Sequence, residues 1–244
     1  MGSRGARLLL LVLFSIVPVA AYAQSIDLSQ LVPTGDGSFS GRIIQGVVLL
    51  TLLSLAPGIL VTTTCFTRFI IALSFLRSGL GLQSTPSNLI VISLSLFMTY
   101  FVMAPIFEKS WIEGVQPLLE NKLTQEAATP LILDPMRDFM LSHVRDEELQ
   151  LFAQFSDNPQ QPDTSDLKLI IPAYMVSELR RGFEIGFLIL LPFLIIDLIV
   201  ATVTMSMGMM MLPPTVVSLP FKVLFFVLID GWNIIVGELL KSVS

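Results

Sequence analysis

Few residues in this 244-residue chain could carry chemistry. It has one cysteine, Cys65, and one histidine, His143. Those counts exclude an intramolecular disulfide, a cysteine-based metal site, a multi-histidine metal centre and a histidine pair relaying protons. Gly79-x-Gly81 begins like a dinucleotide fingerprint, but position 84 is Ser and no strand precedes it, so it reads as a turn. A phosphate loop and a Gly-x-Ser-x-Gly elbow are both missing. Asp197 and Asp230 sit on consecutive apolar segments, as the carboxylates of an intramembrane aspartyl protease do. Their settings, Ile196-Asp197-Leu198 and Ile229-Asp230-Gly231, lack the Tyr-Asp and Gly-x-Gly-Asp contexts of that chemistry. The chain is expected to be no enzyme and to hold no cofactor or metal. His143, on a polar stretch, is expected at the surface.

The charges inside apolar segments are more informative, because an ionised group there must be paired, hydrated or neutralised. Glu184 follows Arg180 and Arg181 by four and three residues, and Glu178 precedes Arg181 by three, so local pairs on one helix face are expected. Asp197 and Lys222 differ. Their helical neighbours are Phe193, Leu194, Val200 and Ala201 in one case, and Ser218, Leu219, Phe225 and Phe226 in the other, read as surroundings without a partner. With the intervening turn near 207–216, Asp197 lies about 15 Å and Lys222 about 9 Å from it, at about 1.5 Å per residue. A lysine stem can bridge that offset. So can a neighbouring copy displaced along the axis, and each charge could instead face a watery lumen. The contact between subunits is the favoured expectation.

Five of the eleven methionines fall in one stretch, at Met205, Met207, Met209, Met210 and Met211. Gly208 and Pro213-Pro214 break helix there, so the segment is a tight turn carrying flexible apolar side chains. Such side chains either fill a gap or close an opening that deforms around a passing object.

The elements that position these residues follow from composition. The chain is 53% hydrophobic and only 14% charged, against about 25% charged in a typical soluble domain. A disordered polar chain and a basic nucleic-acid binder are excluded, the latter also by the net charge of −5. Residues 1–23 have a basic start at Arg4 and Arg7, a short apolar run and Ala21-Tyr22-Ala23, the pattern of a signal peptide cleaved between Ala23 and Gln24. Residues 24–41 form an extended lead. Four apolar segments follow, Ile43–Phe66, Leu89–Phe107, Phe183–Met207 and Val216–Val236, each near the roughly 20 residues of a span. The predicted architecture is all-α, with two helical hairpins (42–107 and 183–244) and a mostly helical acidic segment, 108–182, between them. An amphipathic helix is expected over Ser142–Phe155, a loop at 157–163, and helix again from near Leu167. The short connection 67–88 carries Arg68 and Arg77 and no acid, while 108–182 carries thirteen acids against seven bases. Basic short loops stay in the cytoplasm, so 67–88 is placed inside and 108–182 outside.

Five blocks of residues resemble the FliP family, a component of the flagellar export gate related to the SctR proteins of virulence-associated type III secretion. They are Phe66-Thr67-Arg68-Phe69-Ile70-Ile71 with Leu76-Arg77; Pro172-Ala173-Tyr174-Met175-Val176-Ser177-Glu178-Leu179; Pro192-Phe193-Leu194-Ile195-Ile196-Asp197-Leu198; Met209-Met210-Met211-Leu212-Pro213-Pro214; and Leu219-Pro220-Phe221-Lys222 with Asp230-Gly231-Trp232. The resemblance covers about residues 42–240, and the signal peptide favours its flagellar branch. It implies a ring of five copies joined by FliQ and FliR, with FlhB and FlhA alongside, that passes unfolded flagellar subunits. It implies an inner-membrane site with much of the assembly on the periplasmic side, driven by the proton motive force and a separate ATPase. It makes the methionine loop a pore gasket and the Asp197–Lys222 contact one between neighbouring copies. The competing function is a proton- or solute-coupled transporter using Asp197, Lys222 and Asp230 as relay groups.

Overall fold

The computed structural model describes residues 39–82, 85–156, 166–208 and 213–243, with side chains from Gly46 onward except residue 52. The predicted signal peptide, its Ala23–Gln24 junction, the 157–163 loop and Met209, Met210 and Met211 lie outside the described residues. All regular structure among the described residues is helical. In chain order the α-helices are α1 Phe39–Thr63, α2 Phe66–Leu80, α3 Asn88–Ser110, α4 Gln116–Leu119, α5 Gln125–His143, α6 Asp146–Ala153, α7 Leu167–Ser206, α8 Pro214–Leu228 and α9 Gly231–Lys241. A π-helical turn, Trp111–Val115, joins α3 to α4.

The chain divides into two units, residues 1–53 and 54–244. The described part of the first is helical and is the start of α1. The second holds the core. Cys65, Phe69, Leu73, Leu76, Met98, Met103, Tyr174, Phe193, Phe226 and Leu239 are all buried there. Each fully buried side chain of this size contributes about 1.5–3 kcal/mol.

At the centre of this unit lies α2, which the charge pattern predicts as a cytoplasmic connection. It is a helix because Phe69, Ala72, Leu73, Leu76 and Leu80 recur at helical spacing and are all buried. Its main partner is α7. Two glycines of α7 let the helices close: a Cβ at Gly182 would stand 3.3 Å from the Arg68 backbone, and one at Gly186 would stand 2.7 Å from the Phe75 ring. The helix ends at Gly81, whose φ of 72° is the left-handed cap that glycine adopts without strain.

This placement takes Arg68 out of the charge-based argument for orientation. Arg68 is fully buried and ion-paired with Glu178, a residue of the segment assigned to the opposite side. A loop charge can report orientation only if it is free to be retained on one side, and Arg68 is not free.

The acidic segment is helical with different boundaries from those predicted. The expected helix over 142–155 is split at Val144–Arg145, where extended backbone separates α5 from α6. Thr124 caps α5 by accepting from the Ala127 amide, and Asp166 caps α7 by accepting from the Lys168 amide. From that cap α7 runs 40 residues, about 60 Å, through Pro172 and Pro192 without interruption.

The last apolar segment is not one helix. α8 and α9 meet at 65°, with Asp230 between them at φ 53°. Aspartate tolerates that conformation, and Gly231 is required beside it, since a Cβ there would lie 2.2 Å from the Phe226 ring. By length and composition, helical spans are available at Gly46–Thr63, Asn88–Leu119 and Leu167–Ser206, with the bent α8–α9 pair as a fourth.

Candidate functional site

Two buried cations organise the second unit, one near each end of α2. At its start, the Arg68 guanidinium forks onto Glu178: Nε donates to Oε2 at 2.9 Å and Nη2 to Oε1. Nη1 donates to the carbonyl of Ser242, with the Ser242 hydroxyl 3.2 Å away. The planar fork meets one carboxylate with two bonds and still has a donor for a third element, which an ammonium could not match. Arg68 therefore joins α2, α7 and the turn after α9. The local pair expected between Glu178 and Arg181 gives way to this contact, and Arg181 is half-buried beside it.

At the other end, Lys222 of α8 reaches Asp197 of α7. Its Nζ donates to Oδ2 at 2.6 Å and to the carbonyl of Gly79 at 2.9 Å. The Ser218 hydroxyl donates to the other Asp197 oxygen at 2.6 Å. The structure thus brings the two charges together within one chain, where the favoured expectation was a neighbouring copy. The lysine stem closes the offset, and neither charge needs a second subunit to neutralise it. Lysine also meets the carbonyl end of α2, where a cation is favourable. Gly79 is essential to this geometry: a Cβ on it would be 2.7 Å from the Phe193 ring, which packs there one turn before Asp197. The Gly79-x-Gly81 turn is therefore a lysine acceptor followed by a helix cap.

The remaining predicted charges are nearer the surface. Arg180 pairs with Glu184 at 3.1 Å as the spacing predicts, and also reaches Glu147 and Glu148 of α6. Arg145 touches the same three carboxylates, so a five-residue network pins α6 to α7. Arg77 donates to Asn88 at 2.7 Å and bridges the end of α2 to the start of α3. Asp230 is no mid-helix charge; it stands at the bend just before α9 with no side-chain cap, and its carboxylate accepts from the Asn233 side-chain amide at 3.2 Å. His143, expected at the surface, is half-buried, with Nε2 at 3.0 Å from the Val243 carbonyl.

Met205 and Met207 are exposed at the end of α7, and Gly208 there has φ 74°. The α7–α8 hairpin opens after Ser206 and resumes at Pro214, the first helical position, where proline is favoured.

Three contacts escaped the sequence. Ser218 was legible, lying four residues before Lys222 on the same helix. The carbonyls of Gly79 and Ser242 were not, because every residue has one and only the fold selects which is used.

The FliP family model matches residues 49–239. The flagellar biosynthetic protein FliP of Rhizobium meliloti (strain 1021) is 55% identical over 91% of this chain and 92% of its own length. That of Agrobacterium fabrum is 57% identical over 85% of this chain and 86% of its own. The Bacillus subtilis protein is 49% identical over 80% and 90%. With both buried ion pairs inside the matched region, apart from the Ser242 carbonyl just beyond it, the chain belongs to the FliP family.

Proposed function

We propose that this chain is a structural subunit of the flagellar protein export gate. The observation that carries the reading is the match to the FliP family over residues 49–239, with relatives named flagellar biosynthetic protein FliP over most of their length. About five copies form a ring with FliQ-like and FliR-like subunits, FlhB- and FlhA-like components join it, and unfolded flagellar proteins pass through. The assembly belongs to the bacterial inner membrane, largely on its periplasmic side, after removal of the signal peptide at Ala23–Gln24. Met205, Met207, Met209, Met210 and Met211 line the pore as a deformable gasket. The exposed position of Met205 and Met207 at the open end of a hairpin supports that assignment.

The charges act structurally rather than as a relay. Asp197 accepts from both Lys222 and Ser218, Lys222 also holds a backbone carbonyl, and Asp230 stands at the bend between two helices and accepts from Asn233. A relay group must gain and lose its partner, whereas these partners hold three helices in register.

Two measurements test the reading. A deletion strain should lose its flagella and regain them with the intact gene, and the purified chain should bring FliQ- and FliR-like subunits with it. A chain that purifies alone and supports motility-independent solute uptake would sink it. Replacing Met209, Met210 and Met211 by Ala should leave assembly intact and make the complex leak ions; unchanged permeability removes the gasket.

A further inference from the structure

One cation of α7 is left over by the ion-pair scheme. Arg181 is half-buried and forms no hydrogen bond or ion pair among the described residues. The acids at helical spacing from it are engaged elsewhere: Glu178 takes the Arg68 fork, and Glu184 faces Arg180 and Arg145. Arg181 also begins a row on its helix. Ile185, Leu188 and Pro192 follow at spacings of four, three and four, and so share its face.

That face is one wall of an apolar cleft of about 500 Å³ between α7, α8 and α9, bounded on the other side by Phe225 and Ile234. Leu188 and Ile234 are exposed at its lips, so the cleft opens sideways. Its lining is charged at one end only, where Glu238 and Lys241 stand with Ser242. Arg68 brings that end level with Arg181, because it bonds both Glu178, three residues before Arg181, and the Ser242 carbonyl. Arg181 and Lys241 therefore flank the same mouth, with Glu238 at 3.0 Å from Lys241. Two cations and one acid leave an excess of one positive charge there.

The place of this mouth along α7 fits a membrane surface. The helix is long and apolar enough to span. Its apolar run starts at Phe183, directly after Arg180 and Arg181. Charges at the entrance of such a run sit at headgroup level, and the residues beyond them at acyl-chain depth. Mostly apolar sites of about 300–1,000 Å³ with a few placed polar groups are the usual form of a ligand pocket.

We propose that this cleft binds one phospholipid, its acyl chain between α7, α8 and α9 and its phosphate between Arg181 and Lys241. The guanidinium fork meets two phosphate oxygens at once, and a single anion cancels the excess charge at the mouth. The apolar body of the cleft takes the chain that a free phosphate would lack.

Native mass spectrometry of the full chain, purified in detergent and stripped of lipid, tests this. The probes are palmitoyl-oleoyl phosphatidylglycerol and the diacylglycerol with the same two chains. One phosphatidylglycerol per chain should bind at least about tenfold more tightly than the diacylglycerol, the effect of one charge-assisted contact. Arg181→Gln should lose that factor while its affinity for diacylglycerol stays unchanged, which shows the cleft intact. Arg181→Lys should recover part of the factor. Leu188→Trp, at the exposed lip, should weaken both lipids by crowding the chain. Equal affinity of the unmodified protein for the two lipids overturns the proposal, as does phosphatidylglycerol binding that Arg181→Gln leaves unchanged. So does a Leu188→Trp chain that sheds a protein subunit and no lipid, which would make the cleft a subunit seat.

Discussion

The Arg68–Glu178 pair makes the strongest quantitative demand on this fold. Arg68 is 0% exposed and Glu178 1%. Replacing Arg68 by Met strands a carboxylate among apolar helices and leaves the Ser242 carbonyl without its donor. Breaking a buried pair from one side costs about 3–5 kcal/mol. Domains of this kind are stable by about 5–15 kcal/mol in all, so a large share of stability goes with one side chain. Glu178→Gln should cost a similar amount, because it leaves the guanidinium charge buried instead. Arg68→Lys keeps the charge but cannot span two carboxylate oxygens and a carbonyl, and should fall between the extremes.

The double variant Arg68→Met with Glu178→Met separates charge from packing. Well-packed apolar residues replace a buried pair at little or no cost, so only the orphaned Ser242 carbonyl should remain, at about 1–3 kcal/mol. The assay is denaturant unfolding of the purified chain in detergent, followed by helical circular dichroism. The reasoning fails if both single variants lose under about 1 kcal/mol, or if the double loses as much as the two singles summed.

Three further outcomes follow from named contacts. Exchanging Asp197 and Lys222 should restore only part of the assembly lost in either single variant, because a carboxylate at 222 would face the Gly79 carbonyl, two acceptors together; full recovery would show that the carbonyl contact contributes nothing. Gly182→Leu and Gly186→Ala should both destabilise in the same unfolding assay, because the first meets the α2 backbone and the second meets Phe75 as far as its Cβ at 3.0 Å, which no ring rotation moves; unchanged stability in either would mean the helices can slide apart. Cys65 lies between α1 and α2, and burial, assisted by Glu178, pushes its thiol from 9.0 up to about 12. At pH 8 that leaves a thiolate fraction of roughly one in ten thousand, so maleimide should label it only after unfolding. Because the folded thiol holds its proton more tightly, its stabilising contribution is complete below the unfolded thiol's range and is lost as pH rises towards about 12.

The helical character of the apolar segments was readable from hydropathy, and the start of α7 from Asp166 and the apolar run after Leu167. Gly182-x-x-x-Gly186 was readable as a close-packing face, and the structure sets it against α2. The nature of α2 was readable too, in the spacing of Phe69, Ala72, Leu73, Leu76 and Leu80. It was masked by two arginines, which hydropathy scores as loop residues. An arginine contributes the same value whether it is hydrated or forked onto a buried carboxylate, so composition cannot distinguish a cytoplasmic loop from a clamped core helix. The bend at Asp230 was hidden for a related reason: Asp230-Gly231 is a turn signal, but it sits inside a run apolar enough to read as one span.

The scarcity of charge gives the few buried ions their importance. Apolar helices pack against one another with little preference for register, because one Leu or Ile row resembles the next. A contact between Arg68 and Glu178, 110 residues apart in sequence, has only one solution. So does one between Lys222 and Gly79, 143 residues apart. Together they hold α2 at both ends against α7, α8 and the turn after α9. Stability alone would be served as well by apolar substitutes; position would not. The same logic explains why both cations spend a donor on a backbone carbonyl. A side-chain partner can swing with its rotamer, whereas a carbonyl is fixed to its helix, so the bond reports where the helix itself must lie.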